Sequence, residues 1–323
     1  MILTVTINPL LERRLYFSEV SLGKSHRSAE EILKSGGKGI NVSRQLNRLE
    51  IQNLAFLFLG GLHGKLLRNT LNDEKIIFTA ISTKQETRNC SVIIDESKSI
   101  ATSFFSLNAI ISIEESNEFK LKLDKMIQNC EMVVFSGSSP CKEADDIFPF
   151  GIETANKYDK ISICDTYGSH LSACLEKSPT IVHNNIDEVE SSLNISLKSE
   201  KGKTEYLESL YSKGIKQAYL TDGEKEIYAS TLDYKFKIIP PKIAAIDPTG
   251  SGDAFTAGIV YGWHHDLTFD ETIKLACSLG SVNAGGFSVC EVLKQQAEKY
   301  LDDVQILSIG KKMKLLDVTP NNI

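Results

Sequence analysis

A short apolar run, then a loop rich in Gly, Asn, Asp or Ser, then a stretch with helical spacing recur along this chain. That order constrains the fold more than any other feature of the sequence. Apolar runs at 2–7, 54–59, 132–135, 161–164, 180–183 and 218–221 have the length and character of buried strands, and 244–246 reads as the end of another. Helical patterns occupy 65–72, 115–128, 203–212 and 254–263, and another carries Ile40, Leu46 and Leu49 on its apolar side. Alternation of this kind predicts an α/β protein with a mostly parallel sheet covered on both faces, whose ligands sit beyond the carboxyl ends of the strands. Segments 76–81, 90–94 and 100–105 are further strand candidates, while 11–20 and 25–33 mix polar and apolar residues and do not read as core. No repeat or linker divides the 323 residues, which predicts one main domain over 1–323 with a small inserted element.

Two glycine clusters fall at such strand ends. The first, DPTGSGDAF (247–255), lies between an apolar run and a helix. Gly250 and Gly252 remove side chains that would keep an anion from the backbone, and the first amides of the following helix present the positive end of its dipole. Asp253 sits at the mouth of that cradle. A carboxylate there repels a phosphate, but it suits a group that receives the proton of an attacking hydroxyl; an ordinary helix cap is the alternative. The dipole is expected to hold Asp253 ionised. The second cluster, SGGKGINV (35–42), leads into a helix and allows close backbone approach to a ligand.

Other chemistries find little support. GGLHGK (60–65) lacks the first glycine and the terminal Ser or Thr of a phosphate-binding Walker loop, and neither glycine cluster completes a dinucleotide GxGxxG. The six histidines show no metal spacing, and no GxSxG elbow offers an acyl-transfer nucleophile. A formal charge of -6 gives no footprint for nucleic acid or an anionic membrane, so an anionic substrate must be caught by local positive groups. Seven scattered cysteines without a CxxC pair, and no apolar run long enough for a membrane span or signal peptide, are expected of a cytoplasmic protein with reduced thiols.

DPTGSGDAFTAGI (247–259), GGKGINVSRQLNRL (36–49), VTINP (5–9), FLGGLHG (58–64), TRNC (87–90) and FSGSSP (135–140) together closely resemble the PfkB, or ribokinase-like, sugar kinases. Within them the chain is similar to the branch containing 1-phosphofructokinase and tagatose-6-phosphate kinase. The resemblance covers about residues 1–286. It implies a three-layer α/β/α sandwich with a mostly parallel central sheet, and a small β-strand lid formed by segments near 11–33 and 88–106. It also implies transfer of the γ-phosphoryl group of ATP, with Mg²⁺, to a hydroxyl of a hexose phosphate, and a homodimer formed through the lid.

By the same resemblance Asp253 is the catalytic base, and the amides of Thr249, Gly250, Ser251 and Gly252 form the anion hole. Gly37, Gly39, Asn41 and Ser138 lie on the sugar side, with Glu12 where the branch usually has an aspartate reading sugar hydroxyls. Lys38 and Arg88 stand where the substrate's own phosphate is held, a task that suits a guanidinium by geometry. Asn185 and Glu188 match the NxxE element of the Mg²⁺ network, Thr221 and Gly223 the nucleotide loop, and Asn283 a helix position against adenine. Glu12, His183 in place of a lysine, and Ser106-Leu107 in place of Gly-Pro depart from the pattern. They leave the reaction type alone and bear on which sugar is used. A kinase of an unphosphorylated sugar or nucleoside, or a sugar-phosphate sensor on the same fold, are the other readings.

Overall fold

Ile2, Leu3 and Val5 show where the architecture is centred: β1 (Ile2–Thr6) is buried at every position, as a middle strand of a parallel sheet must be. The structure is a computed structural model describing residues 1–309. From β1 the chain enters β2 (Leu10–Phe17) and β3 (Glu30–Gly36), then α1 (Lys38–Arg48), β4 (Asn53–Gly60), α2 (Gly61–Asp73), β5 (Phe78–Thr83), β6 (Arg88–Asp95) and β7 (Ile100–Phe105). There follow α3 (Ile113–Gln128), β8 (Met132–Ser138), α4 (Ile147–Lys157), β9 (Ile161–Tyr167), α5 (Leu171–Glu176), β10 (Ile181–Asn185), α6 (Ile186–Leu193), α7 (Glu200–Ser212) and β11 (Gln217–Thr221). The last described elements are β12 (Ile227–Thr231), β13 (Tyr234–Ile239), α8 (Ser251–His264), α9 (Phe269–Ala284), α10 (Lys294–Glu298) and β14 (Gln305–Ile309).

The main sheet runs β14-β13-β12-β11-β10-β9-β8-β1-β4-β5. Strands β5 to β11 in that order pair in parallel, and β12, β13 and β14 add an antiparallel edge. One face carries α3 to α7 over a core that includes Phe56, Phe119 and Phe148; the other carries α1, α8 and α9 over Val134, Ile163 and Tyr219. This is the expected α/β/α sandwich. Four strands form a separate small sheet, β3-β2-β6-β7, with its own core of Leu10, Cys90, Val92 and Ile94.

Helix α8 is apolar on nearly all sides and lies close against α9. A Cβ on Gly258 would come within 2.6 Å of the Ala276 Cα, so only glycine permits that approach. The packing fixes the start of α8 over the carboxyl ends of the strands. Capping boxes at Ser112–Glu115 and Thr268–Glu271 close the first turns of α3 and α9.

Several sequence expectations need adjustment. Residues 244–246 are not a strand: they follow Pro240-Pro241, and the Ile246 and Asp247 amides both donate to the Ala284 carbonyl instead of to a neighbouring strand. The apolar run at 161–164 continues to Tyr167, which puts Asp165 inside a strand. The hairpin of β12 and β13 has no helix between its strands, so an alternation of strand and helix does not reveal it. All seven cysteines are free, and all but Cys141 are buried.

Candidate active site

Gly250 adopts φ 79°, the left-handed region, immediately before α8. A side chain there would be strained, and its Cβ would press on Val289 and approach Cys290 Sγ to 3.2 Å. The bend turns the first amides of α8 toward a cavity. The expected four-amide cradle is only partly free, however. Thr249 N donates to Asp247 Oδ1 at 3.0 Å and Ser251 N to the Pro248 carbonyl at 3.1 Å, because the turn must satisfy its own backbone. The amides left without an acceptor among the described residues are those of Gly250, Gly252 and Asp253.

Asp253 stands in the first turn of α8, 4% exposed, with Oδ2 accepting from Asn41 Nδ2 at 2.7 Å. Asn41 is oriented in turn by Arg44, whose Nη1 donates to Asn41 Oδ1 at 2.7 Å while Nε reaches Glu74 at 2.7 Å. The carboxamide therefore turns its NH₂ to Asp253 and its oxygen to Arg44. The helix dipole does not keep Asp253 fully ionised, as the sequence leads one to expect. Burial, with Asp165 and Glu188 nearby, pushes its pKa up to about 7 against the opposing pull of Lys38 and Asn41.

Lys38 forms the electrostatic centre of the site. Its Nζ lies 3.3 Å from Asp165 and 2.9 Å from Glu188, and 4.9 Å from the Tyr167 ring centroid. Burial would lower its pKa; Asp165, Glu188 and Asp253 more than offset this and hold it above the ordinary lysine value. Burial likewise opposes ionisation of Asp165, but Lys38, His183 and Ser136 keep its pKa below the carboxylate norm. Asp165 is the functional candidate that motif reasoning misses. Its signal was positional: a carboxylate near the end of a central parallel strand, where ligands gather.

A cavity of about 650 Å³ joins these groups, a size suited to small molecules. Glu12, Arg88 and Phe105 wall it on the small-sheet side, Gly37, Lys38 and Asn41 below, and Thr249 to Asp253 in the middle. Asn185, Glu188, Thr221, Gly223, Pro240, Ile243 and Ala284 line the far end. Arg88 donates to the Asn8 carbonyl at 3.0 Å and to Asn108 at 3.3 Å, and its buried Nε has no partner among the described residues. Asn185 caps α6 through the Asp187 amide at 2.9 Å, yet also reaches the wall.

Three expected site residues lie off the cavity wall. Gly39 is the point where α1 packs on β1, since a Cβ would strike Thr6 and the Val5 carbonyl. Ser138 accepts a hydrogen bond from Asn8 at 3.1 Å. Asn283 spends its carboxamide on the protein, donating to the Thr249 carbonyl at 2.8 Å and to Ser251 Oγ at 3.1 Å, and accepting from Cys290 N at 2.7 Å. It braces the α8 turn instead of meeting a base.

Residues 12–296 match the pfkB family of carbohydrate kinases. The chain belongs to that family. It is 27% identical over 313 residues to tagatose-6-phosphate kinase of Staphylococcus epidermidis, covering 96% of this chain and all of the relative. A Thermotoga maritima protein described as a possible 1-phosphofructokinase has the same fold, with TM-score 0.87 and 23% identity over 96% of this chain and 99% of that one. The tetrameric inhibited form of Escherichia coli phosphofructokinase-2 gives TM-score 0.84 and 21% identity, over 93% and 99% of the two chains. Within this pfkB chain, His183 is fixed by Thr256 at 2.9 Å and Thr221 at 3.2 Å, and Glu12 is bonded to Arg14 of the same strand. Among the described residues no helix is long and apolar enough to cross a membrane.

Proposed function

We propose that this pfkB chain is a hexose-phosphate kinase of tagatose-6-phosphate kinase or 1-phosphofructokinase type. The observation that carries the reading is the buried Asp253 carboxyl standing beside the unused amides of Gly250 and Gly252, in one cavity with Lys38 and Arg88. ATP occupies the end lined by Asn185, Thr221 and Gly223, with the sugar phosphate under the small sheet against Glu12, Asn41 and Arg88. Asp253 accepts the proton of the attacking hydroxyl as that oxygen bonds to phosphorus, for which a carboxyl with pKa about 7 is well matched. The free amides hold charge on the equatorial oxygens, and Lys38, which the resemblance sets at the phosphate already on the sugar, lies among Asp165, Glu188 and Asp253 and shares that task. Arg88 brings a guanidinium with an uncommitted donor to the phosphate already on the sugar.

The donor set fits magnesium. Asp165 and Glu188 face one ammonium, leaving a net negative charge beside Asp253 where an anionic phosphate must sit, and Glu188 offers a hard oxygen ligand on the wall. Glu188 would help to hold the ion, which would supply charge neutralisation at the phosphates. The small sheet acts as a lid that excludes water, and its apolar outer side, with Ile100 51% and Phe104 60% exposed, pairs with a second copy. The test is ADP release with Mg-ATP and fructose 1-phosphate, tagatose 6-phosphate, fructose 6-phosphate, fructose or ribose. Turnover on a phosphorylated hexose is expected. Turnover on ribose alone, or on none, would overturn the reading.

A further inference from the structure

Arg14 lies on β2 of the small sheet, 3% exposed, and its guanidinium leaves that sheet to reach two parts of the main domain. Nε bonds Glu12 on the cavity wall, and Nη1 donates to the Phe287 carbonyl in the loop after α9. The Phe287 side chain packs on the small sheet's core, so this loop is held between the two bodies. Nη2 faces Asp247 Oδ2 at 3.8 Å. Both atoms are buried, and neither has a hydrogen-bond partner among the described residues.

A buried charged atom without a hydrogen bond is costly, and two such atoms facing each other at 3.8 Å mark an ion pair that stops short of hydrogen-bond contact. Closing the gap to an N–H···O bond needs a movement of about 1 Å. Asp247 is not incidental: its other oxygen holds the Thr249 amide at 3.0 Å, at the base of the turn that presents the Gly250 and Gly252 amides. Glu12, on the other side of Arg14, lies where the acceptor sugar would sit.

We propose that Arg14 is a positioning residue that couples occupancy of the sugar site to the phosphoryl-binding turn. This coupling deepens the kinase reading and rests on it. Acceptor binding at Glu12 draws the small sheet inward, Nη2 closes on Asp247, and the turn is fixed with its free amides toward the phosphate. Without the acceptor the contact stays open and the turn stays looser, which limits transfer to water. Arg14 touches neither ligand and acts through Glu12 and Asp247.

Arg14→Met, Asp247→Asn and the double variant of the full chain test this, with exposed Arg13→Met as control. With Mg-ATP and the hexose phosphate that turns over, each single variant should lose about tenfold in kcat with a much smaller change in KM for ATP. The double variant should be no worse than the weaker single one, since both break one coupling. Amide exchange gives a second readout that needs no turnover: adding the hexose phosphate without ATP should slow Thr249 to Asp253 about fivefold in wild type and Arg13→Met, and leave the segment unchanged in Arg14→Met. Losses that multiply, or a kcat within about twofold of wild type, would overturn the proposal. So would an equal slowing of that segment by the hexose phosphate in Arg14→Met, or in Asp247→Asn if Arg14→Met does not fold. Were the wild type inert on every sugar phosphate, the kinase reading would fall while the exchange experiment still decided the coupling.

Discussion

Replacing Asp253 with Asn should abolish most turnover and at the same time stabilise the protein at alkaline pH. The carboxyl's pKa rises from 3.8 to about 7, chiefly through burial at 4% exposure. Between those values the folded chain holds a proton that the unfolded chain releases. The stabilising contribution of that proton is fully present below pH 3.8 and is lost as pH rises through about 7. Roughly three pKa units at about 1.4 kcal/mol each give an upper figure of about 4 kcal/mol for keeping this carboxylate ionised in the fold. Asparagine escapes that cost and still accepts the hydrogen bond from Asn41. Urea denaturation should therefore find Asp253→Asn more stable than wild type by up to about 4 kcal/mol near pH 8.5, with the gain falling below about 2 kcal/mol near pH 5. ADP release should drop by a factor of at least about 10³ while ATP affinity changes little. A variant less stable than wild type at high pH, or a gain that ignores pH, would refute the burial account; wild-type turnover would remove the base assignment.

Lys38→Met removes the cation that opposes the rise in Asp253's pKa, so the acid limb of kcat/KM, expected near pH 7 for wild type, should move upward; a limb that stays put would detach Lys38 from Asp253. Gly250→Ala forces a side chain into φ 79° against Val289 and Cys290, and should cost about 1–3 kcal/mol in denaturant along with most turnover. Normal activity in that variant would mean the turn is not needed in its present shape. The proposed lid-to-lid pairing predicts that wild type sediments as a dimer and that Phe104→Glu, at an exposed position of β7, sediments as a monomer with its melting temperature little changed. An unaltered dimer would place the contact elsewhere.

How much of the site was legible depends on the range of the interaction involved. The start of α8 could be read directly, because Gly250, Gly252 and Asp253 are neighbours and their conformational needs are local. Glu12, Lys38, Asn41 and Arg88 were placed by motif, and all four reach the cavity. Asn283, set against adenine by the resemblance, turns its carboxamide inward to Thr249, Ser251 and Cys290, and a helical position alone does not say which side meets a ligand. Arg44 and Arg14 gave no signal, since their partners lie on other elements.

The sequence by itself determined the alternation of strand and helix in the parallel part of the sheet, the glycine turn before α8, and the residue types gathered at the strand ends, all of which follow from period, chain stiffness and short-range sterics. Only the tertiary structure decided that Asp253 is buried beside Asp165 and Glu188 and so drawn toward neutrality, that Lys38 sits among three carboxylates, and that Arg14 stops short of Asp247. Charge interactions and desolvation act through space, and the distances that set them exist only once separate segments have packed together.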